Sequence, residues 1–80
     1  MARYYFDFRS GGAVSRDEDG VDLPNAVAAH KTAVVALADG IRDIVFEGTT
    51  DLQFGVEVRD DIGRVLDVTA RLDSKIYRKQ

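Results

Sequence analysis

Residues 24–46 are the one stretch with the length and regularity of a full helix, and every other part of the chain must be arranged around it. On both sides lie short runs in which apolar and polar residues alternate. Such runs are half-buried strands, and their apolar faces need a cover. Leu23 precedes Pro24 and is disfavoured in the helical region, so the helix cannot start earlier. Asn25 is the predicted N-cap, its side-chain oxygen taking an orphan N–H of the first turn, and Gly48 is the predicted C-cap.

At a spacing of about 3.6 residues, Ala26, His30, Ala33, Leu37, Ile41 and Ile44 fall along the centre of one face. Val27, Val34, Ala38 and Val45 flank that line on one side, Ala29 and Gly40 on the other. Lys31, Thr32, Val35, Asp39, Arg42 and Asp43 lie opposite. Gly40 in a helix interior costs up to about 1 kcal/mol, which a close neighbour would explain.

The strands follow from the alternation. Tyr4, Phe6 and Phe8 point one way, with Arg3, Tyr5, Asp7 and Arg9 on the other side. Ser10-Gly11-Gly12 is a turn, after which Ala13 to Arg16 returns antiparallel. Asp17-Glu18-Asp19-Gly20 is a polar turn with Gly20 at positive φ, and Val21 to Leu23 is a stub of extended chain. After the helix, Phe54, Val56 and Val58 point inward; Asp60-Asp61-Ile62-Gly63 turns the chain. Arg64 to Ala70 then returns with Leu66, Val68 and Ala70 inward and Val65, Asp67 and Thr69 outward.

The two polar turns share a pattern. Arg16-Asp17-Glu18-Asp19-Gly20 and Arg59-Asp60-Asp61-Ile62-Gly63 both run Arg, acid, acid, any residue, Gly, the same turn solved twice. The expected fold is α+β: a four-stranded antiparallel sheet in the chain order β-β-α-β-β, with the one long helix packed on one face. Residues 1–72 form a single domain, and residues 73–80 a C-terminal basic tail carrying Lys75, Arg78 and Lys79.

Composition narrows the chemistry. The 80 residues include no cysteine, which removes disulfides, thiolate metal sites and cysteine nucleophiles and favours the cytoplasm. No apolar run approaches a membrane span or a signal peptide. A formal charge of -3 argues against non-specific nucleic-acid binding. Asp17, Glu18, Asp19 and Asp22 are the densest carboxylates, but they lack the spacing of a calcium loop. The glycines match no phosphate-binding fingerprint. No catalytic residue, cofactor or metal is assigned.

His30, the single histidine, is the candidate for a ligand-binding or acid–base group in a cleft between helix and sheet. Arg3, Tyr5, Val65 and Thr69 mark the candidate interaction surface, because an open sheet has unpaired edges and an outer face. A small accessory or protein-interaction module, homodimeric through that surface, is the leading expectation. A small-ligand binder or enzyme using His30 is one alternative. A nucleic-acid-binding module built on Tyr4, Tyr5, Phe6 and Phe8 is the other.

Three segments together resemble a known family: Arg3 to Arg9, Asp17 to Asn25, and Phe54 to Leu66, with the alanine-rich helix start between them. The resemblance is to small uncharacterised proteins abundant in rhizobia and related alphaproteobacteria that carry a domain-of-unknown-function label (DUF6894-like), and it covers about residues 2–70. It implies a bacterial origin and a fold, but no reaction, cofactor or catalytic residue. In that family's pattern the position of His30 is often Arg and that of Asp7 often His, which implies no shared acid–base role for His30.

Overall fold

A computed structural model describes residues 1–46 and 53–78 of the chain. In order it forms β1 (Ala2–Ser10), β2 (Ala13–Ser15), β3 (Val21–Leu23), α1 (Ala26–Phe46), β4 (Gln53–Arg59) and β5 (Arg64–Arg71). The fold is α+β, one helix on an open antiparallel sheet. The sheet has five strands in the order β2-β1-β4-β5, with β3 also paired to β1. This corrects the expected count of four. The stub Val21–Leu23 is a strand of three residues, too short for its alternation to declare itself, and it pairs Val21 with Tyr4 and Leu23 with Ala2.

The inward residues align in rows across the sheet. Phe8 faces Val56, which faces Val68; Phe6 faces Val58, which faces Leu66; Ser10 faces Phe54, which faces Ala70. Residues directly opposite share a face, so the rows build the floor on which α1 rests. Tyr4, Ala29, Ala33, Leu37, Phe54, Val56 and Val58 form the buried core, with Phe6, Phe8, Ile41 and Ile44 packed against it. The cap is as expected: Asn25 Oδ1 accepts the Ala28 N–H at 3.0 Å, and the Asn25 carbonyl accepts the Ala29 N–H. The predicted C-cap Gly48 lies outside the described residues, as does Lys79 of the basic tail.

The helix is rotated from the expected seating. Its buried line is Ala29, Ala33 and Leu37, with Gly40, Ile41 and Ile44 half-buried beside it. Val27, Val34 and Val45 are exposed, and so are Ala26 and His30. Shape decides this against hydrophobicity. A Cβ at Gly40 would lie 2.7 Å from Phe8 Cζ and closer still to Cε1, so the helix backbone passes directly over that ring. A bulky sheet takes the alanine–glycine side of the helix and leaves the valine side in water. His30 goes with the valine side.

The strand β5 carries a second departure. Val58 and Arg59 of β4 face Leu66 and Arg64, so Val65 is one residue too many, a bulge. Through it Val65 and Leu66 both pack against the core. The outward placement expected for Val65 is thereby corrected.

Candidate interaction surface

The odd-numbered residues of β1 and β4, with Asp67, Thr69 and Arg71 of β5 and, beyond the bulge, Arg64, line the sheet face away from the helix, and that face is closed by charge. Arg9 pairs with Glu57 at 2.6 Å, and Arg64 bridges Glu57 at 3.2 Å and Asp67 at 3.1 Å. These pairs are partly or largely exposed, so each adds little stability. The pair of Arg59 with Asp7 differs, because Asp7 is buried. Arg59 Nε donates to Asp7 Oδ2 at 3.0 Å, and one terminal nitrogen donates to the Asp17 carbonyl at 2.7 Å. Its guanidinium carbon also sits 4.5 Å from the centre of the Tyr5 ring, a stacking cation–π contact.

Residues 16–20 complete this cluster. They join β2 to β3, which pair with opposite ends of β1, so they must pass Tyr5, Phe6 and Asp7. Asp17 replaces a strand partner there. Its Oδ2 accepts the Phe6 N–H, its Oδ1 accepts the N–H groups of Asp19 and Gly20, and its own N–H donates to Asp7 Oδ1. Gly20, at φ 75°, rests against Tyr5 and Arg3: a Cβ there would lie 2.9 Å from Tyr5 Cε2 and from Arg3 Cγ. The second turn repeats the local bonds, with Asp60 Oδ1 accepting the N–H groups of Ile62 and Gly63. Sequence reasoning saw the repeated turn; it missed that Asp17 also fastens Phe6 and Asp7.

Two carboxyls are tuned by this arrangement. Burial pushes the Asp7 carboxyl up, but the hydrogen bond from Arg59, the Asp17 N–H and the charges of Arg59 and Arg16 outweigh it and hold the group below its ordinary value. Burial likewise pushes Asp17 up, while the N–H groups of Phe6, Gly20 and Asp19 and the Arg59 charge bring it below. Each of these carboxylates already accepts three hydrogen bonds from within the chain. Among the described residues no group of three or more His, Asp or Glu side chains is placed to hold a metal ion.

The candidate residues thus meet different fates. Tyr5 is held between Gly20 and Arg59. Arg3 is occupied by the Asp19 carbonyl at 2.7 Å and by the Asp22 carboxylate at 3.2 Å. Val65 is packed inward. Thr69 remains exposed on β5, its Cγ2 against Gly55. His30 stands on the exposed helix side, and neither described cavity includes it. One, of about 470 Å³, is lined by Gln53, Phe54, Thr69, Ala70 and Arg71. The other, of about 230 Å³, lies between Ile44 and the β1–β2 hairpin.

The two sides of the sheet are unlike. One is broken into the three-residue strands β2 and β3 with the 16–20 excursion between them. The other is β5, a strand of eight residues with no described strand on its outer side. The hydrogen-bond phase shows which backbone groups it leaves free. Gly11 N–H donates to the Gln53 carbonyl, and Phe6 N–H turns to the opposite side, toward Asp17. Odd residues of β1 therefore bond to β4, even residues of β4 bond to β5, and Leu66, Val68 and Ala70 bond back to β4. The N–H and C=O groups of Asp67, Thr69 and Arg71 point away from the sheet.

A family model described as domain of unknown function (DUF6894) matches residues 3–72. The chain belongs to that family. The match runs from Arg3, the second residue of β1, past the end of β5, and the family description assigns no activity. No curated protein and no solved structure matches the chain. No helix among the described residues is long and apolar enough to cross a membrane.

Proposed function

We propose that this DUF6894 domain is a small protein-interaction module that works by strand addition to the outer side of β5. The observation that carries this reading is the asymmetry of the sheet: one side is blunted by short strands and an excursion, while β5 presents the free backbone groups of Asp67, Thr69 and Arg71. Proteins ordinarily protect such an edge, and one that stays open is a template for main-chain pairing. The outer sheet face supports the same choice, since its arginines are matched by carboxylates and present no basic field for nucleic acid. The absence of cysteine supports a cytoplasmic setting.

A proline tests this directly. The Thr69 N–H points away from β4, so Thr69→Pro removes a donor from the free edge without breaking the ladder. Affinity capture from the native cell extract with the wild type, Thr69→Pro and His30→Ala is expected to lose its partner only with the proline. Loss with His30→Ala and retention with Thr69→Pro would replace this reading by the cleft reading.

A further inference from the structure

We infer that the strand added to β5 is the β5 of a second copy of this chain, paired antiparallel about Thr69. The inference rests on the strand-addition reading above and names its partner. An antiparallel self-pairing must set residues of one face against the same face, which leaves few registers. Centred on Asp67, it would put two carboxylates directly opposite each other, which is destabilising. Centred on Val68, it places Asp67 against Thr69 and Val65 against Arg71, with no charge matched. Centred on Thr69, it places Asp67 against Arg71 of the second copy, and by symmetry Arg71 against Asp67.

The same register carries the apolar rows of the sheet on into the second copy and adds cover for Leu72 at the end of β5. Val68 meets Ala70 of the second copy, and Leu66 meets Leu72, which is 44 % exposed in the single chain. Residues 72–78 follow β5 without helix or strand, all of them exposed. Ile76, 72 % exposed, and the turn residue Ile62, 96 % exposed, are further apolar side chains that the single chain leaves in water. The chain is elongated, at 52 × 21 × 17 Å, with a radius of gyration of 14.5 Å, against about 12 Å for a compact chain of its length. A two-fold pairing along β5 lays each of these C-terminal segments beside the other copy. It joins the two sheets into one, with both helices on the same side.

The charges supply the test. Sedimentation equilibrium over a range of protein concentration is expected to show a species of twice the 8.8 kDa chain mass. Asp67→Arg and Arg71→Asp each set like charges opposite one another, and each is expected to raise the dimer dissociation constant at least about tenfold. The double variant with both changes restores the pairing and is expected to recover the wild-type constant. Thr69→Pro is expected to be monomeric with an unchanged circular dichroism spectrum, which separates lost pairing from lost folding. A wild type that stays monomeric at every concentration overturns the second copy as partner. In that case loss of capture by Thr69→Pro would still uphold strand addition to another protein. A dimer indifferent to the two charge changes overturns this register.

Discussion

Gly40 shows how one missing side chain decides where a helix sits. Alanine is the better helix former by about 1 kcal/mol, yet a Cβ here would meet the Phe8 ring. Gly40→Ala is therefore expected to lower stability by about 1–2 kcal/mol despite its propensity gain, because overpacking outweighs it. Chemical denaturation measures this, and Phe8→Leu in the same chain should recover part of the loss. Arg59 is the other residue on which much converges. It neutralises the buried Asp7, binds the Asp17 carbonyl and covers Tyr5. Arg59→Ala leaves Asp7 uncompensated, with an expected loss of about 2–4 kcal/mol, whereas Arg64→Ala at the exposed pairs is expected to cost less than about 1 kcal/mol.

The same cluster sets a pH dependence with a definite sign. Asp7 and Asp17 titrate below their ordinary value of 3.8 in the folded chain, so the unfolded chain binds their protons more readily. Their stabilisation is whole above that value and is lost as the pH falls through it and through the lower folded values. Thermal melts across acid pH are expected to show a loss of stability in that window. Asp7→Asn should be less stable at neutral pH and should show a shallower acid slope.

At the scale of elements, the start of α1 depends on one side chain. The first turn contains no acidic residue, and among the described residues it is the Asn25 side chain that caps it, through the Ala28 N–H. Asn25→Ala is expected to cost about 1 kcal/mol in a denaturation experiment. The places of β1, β2, β4 and β5 and the start of α1 were legible because alternation, helical spacing, Pro24 and Asn25 all mark them locally, although β1 runs two residues further at each end than the alternation of Tyr4 to Phe8. The inward choice at Phe6, Phe8, Phe54, Val56, Leu66 and Val68 was legible for the same reason. What escaped was set by partners distant in sequence. The seating of the helix depends on where the Phe8 ring stands, so a hydrophobic count placed His30 inward when the alanines and Gly40 took that side. Val65 and Leu66 are both apolar, and only the register with Val58 and Arg59 shows that a bulge turns both toward the core. The three residues of β3 alternate too briefly to be read as a strand without Arg3 and Tyr4 opposite them.

At the scale of the whole molecule, the two sides of the sheet divide the labour. The side of β2 and β3 is spent on internal structure, where Asp17, Arg59 and Asp7 fasten the excursion to β1 and β4. The side of β5 keeps a row of backbone donors and acceptors with no strand partner among the described residues, beside exposed apolar residues, and it is there that the proposed second chain would add itself. Amide hydrogen exchange followed over a range of protein concentration tests this most directly. The amides of Leu66, Val68 and Ala70 are expected to be protected throughout, and those of Asp67, Thr69 and Arg71 to pass from fast to slow as concentration rises. Fast exchange at Asp67, Thr69 and Arg71 at every concentration, with protection arising on another element instead, would contradict the account.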